Sequence, residues 1–468
     1  MFDKSNLIKI EDFLWEIPKS FRSDMRVSAR IYTCEEMLDA ITADKSLDQL
    51  VNVATLPGIK GFALAMPDIH EGYGFPVGGV AAFDSEEGII SPGGIGYDIN
   101  CGVRLLRSEK TFPEIKPHLR NLGRAIYQEV PSGVGVGGNL TLKGKEFDLV
   151  LEKGAERILE LGYGDEDDLE HTESGGVLRT AAPELVSVHA KSRGRDQLGT
   201  MGAGNHFVEV GIVETIFDEN EAERLDIFKD QVTVLIHTGS RGLGHQIATD
   251  YIRIMMRVIP SYGITLPDRE LACTPFNSKE GQNYFKAMSA GANFAWANRQ
   301  LITWEVRKAW ENVLGREGGK LHVVYDVAHN IAKIEGYTLD GKKLELVVHR
   351  KGATRAFPNQ PVLIPGSMGT HSYILVGQEK ALAASFGSSC HGAGRRMSRT
   401  RARKEVNLEE LRERLESMGI VVNAGSSRGL TEESPEAYKD VNEVVDVIHE
   451  AGIAKKVARL RPLAVIKG

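Results

Sequence analysis

The chain has few cysteines for its length. Its 468 residues include only four, Cys34, Cys101, Cys273 and Cys390, and no two of them form a C-x-x-C pair. This absence excludes a dense disulfide framework and a zinc finger of ordinary spacing. We therefore expect a reduced protein located in the cytoplasm.

Long apolar runs and an excess of positive charge are also missing. No stretch of about 18 uncharged apolar residues is present, so no membrane-spanning segment is predicted. The first residues lack the basic and apolar regions of a signal peptide. The formal net charge of −7 argues against a broadly cationic surface that grips nucleic acid non-specifically, although it does not exclude a local basic groove.

Glycine, by contrast, is abundant and clustered. The chain has 50 glycines, and clusters of glycine outside any repeat are typical of loops that approach a ligand closely. No internal repeat and no low-complexity linker divides the sequence. Helices are predicted at about 144–162, 282–315, 408–418 and 435–450, and the acidic run 165–170 is predicted to be a solvated surface loop.

One glycine-rich segment, Ser91–Gly102, combines two kinds of metal-binding group. Asp98 supplies a carboxylate, and Cys101 supplies a thiol three residues later. Either residue alone is more often structural, the aspartate as a turn residue and the cysteine as a small buried side chain. A metal site therefore depends on further ligands elsewhere in the chain.

Three histidines share a context that could supply those ligands. His206, His237 and His329 each lie beside a strand-like run, close to glycine or small residues. One such histidine is usually a hydrogen-bonded core residue, but the three with Asp98 and Cys101 make five candidate ligands. Five exceed the needs of one tetrahedral zinc. If the thiolate bridges, they form two three-ligand sites with open positions for phosphate chemistry, and zinc, manganese and cobalt all remain open.

A fourth histidine, His391, lies in a segment suited to an anion. Gly392–Gly394 can direct backbone N–H groups at a phosphate, and Pro365–Gly369 could make a second such cradle. A histidine held against a phosphate can be an acid, a base or a nucleophile, or it can simply donate a hydrogen bond. The basic run from Arg395 to Lys404 would form a local basic groove, although such a run is more often a solvated helix face.

In this order, the motifs closely resemble the RtcB family of RNA-splicing ligases. The matching stretches are MPDIHEGYGFPVGG, GYDINCGVRLL, LGTMGAGNHFVEV, IHTGSRGLGHQ, YDVAHN, HRKGATRAFP, PGSMGT, SSCHGAGRRMSR and LRPLAVIKG. They extend over nearly the whole chain. The resemblance implies one catalytic domain over residues 1–468 with an α/β (α+β) fold, in which mixed β-sheets, flanked by helices, surround a buried binuclear metal centre.

The resemblance also implies a GTP- and manganese-dependent RNA ligase. Such an enzyme joins RNA ending in a 2′,3′-cyclic phosphate or 3′-phosphate to RNA beginning with a 5′-hydroxyl, in tRNA splicing or RNA repair. It does so through a guanylylated histidine and an activated RNA 3′ end. The implied cofactors are GTP and two Mn²⁺ ions per active site, and the implied partners are such RNAs and an archease-type activator.

By motif, the resemblance implies roles for single residues. His391 would attack the α-phosphorus of GTP, and Asp68 would orient it through the other ring nitrogen. The metal ligands, with Cys101 shared, would be Asp98, Cys101 and His206 for one ion and Cys101, His237 and His329 for the other. The guanylate contacts would be Asn205, His206, Phe207, Val208, Glu209, His329, Asn330, Pro365, Gly366, Ser367, Met368, Ser372, His391, Gly392, Ala393, Gly394, Tyr438 and Lys467. Candidate contacts to RNA or other phosphate groups are Arg241, Lys351 and Arg395.

Two other functions are compatible with these residues. A binuclear metal phosphoesterase acting on cyclic phosphates would need the same five ligands, but it would leave His391 and the lysine of the apolar terminal strand unexplained. A non-catalytic RNA- or nucleotide-binding protein would need neither a nucleophile nor a metal pair. Covalent labelling by GTP and turnover of cyclic-phosphate RNA separate both from a ligase.

Overall fold

The computed structural model describes residues 2–339 and 341–468. The strands in these ranges are β1 (Ile8–Glu11), β2 (Leu14–Ile17), β3 (Ser28–Tyr32), β4 (Phe62–His70), β5 (Val77–Asp84), β6 (Ile89–Ile90), β7 (Gly102–Thr111), β8 (Phe207–Ile216), β9 (Gln231–Thr238), β10 (Thr274–Pro275), β11 (Leu321–Ala328), β12 (Asn330–Leu339), β13 (Lys342–Lys351), β14 (Ala353–Arg355), β15 (Pro361–Ile364), β16 (Ser372–Gly377), β17 (Ser388–Cys390), β18 (Val421–Ala424) and β19 (Ala454–Lys467).

Helices flank these strands. They are α1 (Leu38–Thr42), α2 (Ser46–Val53), α3 (Phe112–Ile115), α4 (Leu119–Glu129), α5 (Lys145–Lys153), α6 (Ala155–Glu160), α7 (Asp167–Glu170), α8 (Val188–Gly194), α9 (Glu219–Arg224), α10 (Arg241–Val258), α11 (Lys279–Leu314), α12 (Lys380–Ser385), α13 (Arg399–Glu405), α14 (Leu408–Ser417), α15 (Ser427–Glu432) and α16 (Val441–Glu450). In the part of the chain that the structure describes, none of them is both long and apolar enough to cross a bilayer.

Two mixed sheets dominate the fold. The first has the strand order β1-β2-β3-β4-β5-β13-β12, and the second has the order β11-β7-β9-β8-β19-β16-β15, with β18 beside β19. Strand pairing is antiparallel except between β3 and β4 and between β18 and β19. The predicted combination of mixed sheets with flanking helices is confirmed.

The two sheets are connected at the point where the candidate ligands lie. Strand β11 of the second sheet runs through His329 directly into β12 of the first sheet. The short pair β14–β17 lies beside this junction, because the backbone N–H of Ala353 donates to His329 O at 3.1 Å. Strand β17 ends at Cys390, so His391 follows immediately. The ends of several strands, from different parts of the chain, therefore lie in one region.

Helix α11, the helix predicted at about 282–315, is the central scaffold of the fold. Every residue from Ala287 to Thr303 is buried, which is typical of a helix enclosed by protein on all sides. Trp296 and Trp310 lie in the hydrophobic core, whereas Trp304 is 38% exposed. Several buried polar residues of this helix, such as Asn293, Asn298 and Arg299, are hydrogen-bonded to distant segments, and one of them supports the site.

Two other predicted helices differ in extent. The helix expected at 144–162 is divided at Gly154, which has φ = +58° and approaches Gly176 O so closely that a Cβ atom would lie 2.3 Å from it. The helix expected from residue 435 begins at Val441, where Asp440 caps it, because Pro435–Ala437 form a separate 3₁₀ turn. Helix α14 begins after the Asn407 cap, as predicted.

The prediction that residues 165–170 are a solvated surface loop is only partly right, because Asp165, Glu166, Asp167 and Glu170 are exposed but the segment is partly helical and one residue is buried. Asp167–Glu170 form α7, and Asp168 is only 2% exposed. Its carboxylate accepts hydrogen bonds from both Nη atoms of Arg307 at 2.7 Å and from Gln300 Nε2 at 2.7 Å. A run of acidic residues is predicted to be solvated when no basic partner is close in sequence. The partner of Asp168 is Arg307, which lies on the distant helix α11.

Candidate active site

The five candidate metal ligands lie at neighbouring strand ends. Asp98 and Cys101 precede β7, and His206 precedes β8. His237 is in β9, which pairs with both β7 and β8, and His329 follows β11, the other neighbour of β7. Because these four strands are adjacent, their ends bring side chains from distant parts of the sequence to one place.

The donor atoms form a continuous series. His206 Nε2 lies 2.9 Å from Asp98 Oδ2 and 3.4 Å from Cys101 Sγ. Cys101 Sγ is 3.5 Å from His237 Nε2, which is 3.4 Å from His329 Nε2. Two groups result, Asp98–Cys101–His206 and Cys101–His237–His329, and within each group the atoms lie within 4.8 Å of one another. The structure therefore places Cys101 in both groups.

The chemistry of these residues fits metal ions. Burial holds the pKa values of His237 and His329 well below the usual value for histidine, so both imidazoles are neutral and can offer a lone pair to a metal. Burial opposes ionisation of Asp98, but its contacts with His206 and Cys101 and the charge of Arg241 hold its pKa at about 2. Imidazole, thiolate and carboxylate donors together suit a divalent transition metal.

Packing, rather than hydrogen bonding, orients the three imidazoles. Among the described residues, the buried Nδ1 atoms of His206, His237 and His329 have no hydrogen-bond partner. The ring of His237 instead meets Phe207 edge-on at 5.6 Å between centroids and His329 at 5.1 Å. These contacts leave the Nε2 atoms of all three rings directed at the donor group.

A buried arginine holds the backbone on which the ligands are mounted. Arg299 of α11 is fully buried, and its Nη1 donates to Asn100 O at 2.8 Å and to Thr238 O at 2.9 Å. Asn100 precedes Cys101, and Thr238 follows His237. Arg299 thereby fixes the distance between two of the ligand-bearing turns.

His391 lies at one end of the donor series. Its Nδ1 is 2.6 Å from Oδ2 of the fully buried Asp68, which also accepts the backbone N–H of His391 at 3.0 Å. Its ring centroid is 4.8 Å from that of His329. Gly394, with φ = +75°, permits this approach, because a Cβ atom there would lie 2.2 Å from Asp68 O. Asp68 and His391 are thus brought together as expected from the motifs.

A cavity of about 270 Å³ opens over the donor series and His391. Asp98, Cys101, His237 and His329 contribute to its walls. Most residues that the resemblance implied for guanylate also line it: Asn205, Phe207, His329, Asn330, Pro365, Gly366, Ser367, Met368, His391, Gly392, Ala393, Gly394, Tyr438 and Lys467. The cavity therefore joins the metal-binding groups to the candidate nucleotide residues.

The remaining implied guanylate residues lie behind this wall. His206 faces the donor series, and Val208 packs in the hydrophobic core between the second sheet and its helices. Ser372 supports the Pro365–Met368 loop, because its Oγ accepts the N–H of Gly366 at 3.0 Å. Glu209 is 3% exposed, and burial raises its pKa to about 8 against the opposing effects of Ser372 and Lys467.

The three basic residues suggested for phosphate binding all have protein partners. Arg241 donates to Thr200 Oγ1 at 3.1 Å and to Gly133 O at 3.0 Å. Lys351 lines the cavity but donates to Tyr73 O and Phe75 O. Arg395 stacks over the ring of Tyr438 at 4.9 Å. These contacts hold Lys351 and Arg395 in fixed positions at the cavity wall, whereas Arg241 is not part of the lining.

Glu433 is a cavity residue that sequence reasoning missed. It is 1% exposed, lines the cavity and binds Arg395 Nη1 and Arg399 Nε at 3.1 Å each. The basic run was therefore only partly a solvated face, because two of its arginines are neutralised here. No local pattern distinguishes Glu433 from the acidic residues beside it, so the sequence held no signal for it.

Comparison with known proteins agrees with the motifs. A family model described as tRNA-splicing ligase RtcB matches residues 49–468. A protein named tRNA-splicing ligase RtcB from Thermococcus kodakarensis is 52% identical over 477 aligned residues, which cover 99% of each chain. Proteins of the same name from Archaeoglobus fulgidus and Methanococcus maripaludis are 52% and 49% identical, over 99% of this chain and 99% and 100% of theirs. This chain belongs to the RtcB family.

Proposed function

We propose that this protein is an RNA ligase that uses GTP and two Mn²⁺ ions to join a 2′,3′-cyclic-phosphate or 3′-phosphate RNA end to a 5′-hydroxyl RNA end. The names of its relatives support an RNA ligase of tRNA splicing. The observation that carries the nucleotidyl-transfer mechanism is the contact of His391 with Asp68, beside the donor series and at the wall of the nucleotide-sized cavity.

His391 is the proposed nucleophile. A buried carboxylate 2.6 Å from Nδ1 favours the tautomer with the proton on Nδ1, which leaves the lone pair on Nε2. Nε2 attacks the α-phosphorus of GTP, a P–N bond forms, and the bond to the β-phosphate oxygen breaks to release pyrophosphate. Asp68 stabilises the positive charge that develops on the imidazole. The metal ions, when bound, stabilise the negative charge on the phosphate oxygens.

The guanylate would lie between the Pro365–Met368 loop and the end of β19. Lys467, from that strand, lies over the ring of Phe207 at 5.7 Å from its centroid. The buried Glu209, on the neighbouring strand β8, is the proposed acceptor for the N–H groups of a guanine edge. A buried carboxylate that accepts hydrogen bonds from two adjacent N–H groups of the base favours guanine over adenine, since adenine lacks this pair of donors.

The RNA steps follow from the same arrangement. Water opens the cyclic phosphate to a 3′-phosphate, whose oxygen attacks the guanylate phosphorus while the P–N bond breaks and the electron pair returns to His391. The 5′-hydroxyl then attacks the 3′-phosphorus of the activated end, and GMP leaves. Because each step moves charge on phosphate oxygens, the guanidinium of Arg395 at the cavity wall would contribute at every stage, whereas Lys351, whose pKa burial lowers to about 7, would contribute in its protonated form.

Covalent labelling tests the proposal. Incubation with α-³²P GTP and Mn²⁺ should give a labelled, acid-labile protein band, and His391→Ala and Cys101→Ala should abolish it. His189→Ala, which removes an exposed histidine of α8, is the matched control and should label normally. An absence of label with every divalent metal, even with an activator supplied, would favour the cyclic-phosphate phosphoesterase instead.

The wider setting of the enzyme is part of the same proposal. Residues 1–468 would act as one catalytic domain, because the site draws on residues from Asp68 to Lys467. The enzyme would act in the cytoplasm, on tRNA halves or other cleaved RNA and away from membranes, with an archease-type protein as activator. The phosphoesterase alternative uses the same donors but assigns no role to the Asp68–His391 pair.

A further inference from the structure

Three aromatic rings form a stack at the edge of the cavity. The rings of Tyr97 and His245 are nearly parallel, with centroids 4.8 Å apart and an interplanar angle of 25°, and Tyr73 meets Tyr97 edge-on at 5.4 Å. His245 is exposed, and the two tyrosines are half-buried. Each ring comes from a different glycine-rich motif, and neither the metal donors nor the guanylate contacts use any of them.

The stack lies at the Asp98 end of the donor series. Tyr97 directly precedes Asp98 and lines the cavity. Asp98 Oδ1 accepts the backbone N–H of Ser240 at 2.9 Å, and His245 lies one turn further along α10, the helix that Ser240 precedes. His391 contacts the opposite end of the series, at His329. The stack and the nucleophile therefore contact different ends of the donor series, and both ends line the same cavity, since Asp98 O also accepts the side-chain N–H of Asn330, the residue after His329, at 3.1 Å.

The geometry of the final step, in which GMP leaves, indicates where the 5′-hydroxyl RNA strand binds. In a phosphoryl-transfer displacement, the attacking and leaving oxygens are roughly in line, on opposite sides of the phosphorus. GMP leaves towards Tyr438 and Lys467, so the 5′-hydroxyl approaches from another part of the cavity wall, and Tyr97 and Asp98 supply such a part. We propose, on the basis of the proposed ligase function, that the outward face of His245 stacks with the first base of the 5′-hydroxyl RNA strand.

The surroundings of His245 match a nucleotide. Arg193 is exposed and donates to Gln246 Oε1 at 2.9 Å. This contact brings a positive charge next to the imidazole of His245. The backbone phosphate of the second nucleotide would lie beside that charge. Single-stranded RNA is commonly bound by an aromatic ring beside a cationic group. Since every base has a flat π face, the stack would accept all four bases, as a ligase acting on varied ends requires.

Fluorescence of a modified RNA tests this contact. A 5′-hydroxyl oligoribonucleotide with 2-aminopurine as its first base should lose fluorescence on binding, because stacking quenches this base, whereas the same label at the sixth position should respond much less. His245→Ala should weaken binding of the strand about 5- to 20-fold, at the low end of base–aromatic stacking, and raise the KM for this strand in sealing. His245→Phe keeps a flat ring and should restore both.

The controls separate this inference from the ligase proposal. His118→Ala removes another exposed histidine and should bind RNA as the wild type does. Labelling of His245→Ala by α-³²P GTP measures the first step without RNA and should match the wild type. Normal labelling with unchanged RNA affinity in His245→Ala, or equal loss in His245→Ala and His245→Phe, would overturn the stacking role alone. Failure of the wild type to label would overturn the ligase mechanism itself.

Discussion

Arg299 and Asp326 form a fully buried, two-point ion pair directly behind the donor series. Arg299 Nε lies 2.9 Å from Asp326 Oδ2, and Nη2 lies 2.8 Å from Oδ1. Arg104 Nε shares the same carboxylate at 2.8 Å. The remaining Nη1 of Arg299 is free to hold the two backbone carbonyls beside Cys101 and His237, so the pair joins α11, β11 and the metal-binding turns into one unit.

Removal of Arg299 should destabilise the protein strongly. Arg299→Leu leaves Asp326 buried with one partner and two carbonyls without a donor, a change that typically costs about 3–5 kcal/mol. Urea unfolding of the metal-free protein measures this loss. Arg428→Leu, which breaks an exposed ion pair with Glu432, is the control and should cost at most about 1 kcal/mol. Equal losses in the two variants would contradict the role of Arg299 as a central support.

Asp68→Asn should slow guanylylation by about 10²- to 10⁴-fold. The amide keeps the size of the carboxylate but loses the negative charge that stabilises the imidazolium form of His391. The initial rate of labelling by α-³²P GTP measures the effect, and GTP affinity should stay within about twofold. Asp12→Asn, at an exposed position, should label normally. A normal rate in Asp68→Asn would show that His391 needs no partner.

The shared thiol predicts an unequal pattern of metal loss. The wild type should retain two Mn²⁺ ions per chain after equilibrium dialysis. His206→Ala and His329→Ala each remove a ligand from one group only and should retain one ion. Cys101→Ser should reduce binding at both sites together. Cys34→Ser, a half-buried cysteine outside both groups, should retain both ions. Two ions at normal affinity in Cys101→Ser would exclude a bridging thiolate.

GTP binding should strengthen as pH rises towards 8. Burial raises the pKa of Glu209 to about 8, so near neutral pH the carboxyl is mostly protonated in the free protein. Glu209 must be ionised to accept hydrogen bonds from two donors on the guanine edge, so GTP binding releases the proton of Glu209. Ionisation of Glu209 alone predicts an affinity gain of about fivefold between pH 7 and pH 8. Burial lowers the pKa of Lys467 to about 8, so partial loss of its charge over the same range reduces this gain, and titration calorimetry measures the net change.

A second buried carboxyl supplies the control for this titration. Burial also raises the pKa of Glu305 to about 8, but this residue lies on α11 and binds Asn139 Nδ2. Glu305→Gln should keep the pH dependence of GTP affinity, whereas Glu209→Gln should bind GTP more weakly and with little pH dependence. If both variants keep the dependence, another group releases the proton.

Local sequence patterns predicted many residues of the candidate site. His206 and His237 each lie where an apolar strand meets a glycine-rich turn, and both features are visible over a few residues, as for His237 after Val232–Ile236. His329 follows the mainly apolar run Leu321–Ala328 without a glycine beside it. The ligand count indicated two three-ligand sites if the thiolate bridges, and the resemblance to the RtcB family implied which residues belong to each. What the patterns could not show is the order of strands that makes these ends adjacent, since β9 pairs with strands from distant parts of the chain.

The sequence analysis missed contacts between residues that are distant in sequence. Asp168 belongs to an acidic run that resembles a surface loop, and only the fold brings Arg307 to it. Glu433 was overlooked because its two arginines come from a basic run that was interpreted by itself. The stack of Tyr97 and His245 likewise depends on the position of α10 against the Asp98 turn. In each case the deciding contact joins segments that no local window contains.

The position of β19 has a consequence for how the protein is made. This strand inserts between β8 and β16, so the second sheet consists of two separate pieces until residues 454–467 have left the ribosome. The piece β11-β7-β9-β8, which carries the metal donors, can assemble earlier, whereas Lys467 reaches the cavity only when β19 docks. During translation, the donor residues of this piece can therefore come together first, and the part of the cavity wall that includes Lys467, proposed for the purine, forms only with the closure of the sheet.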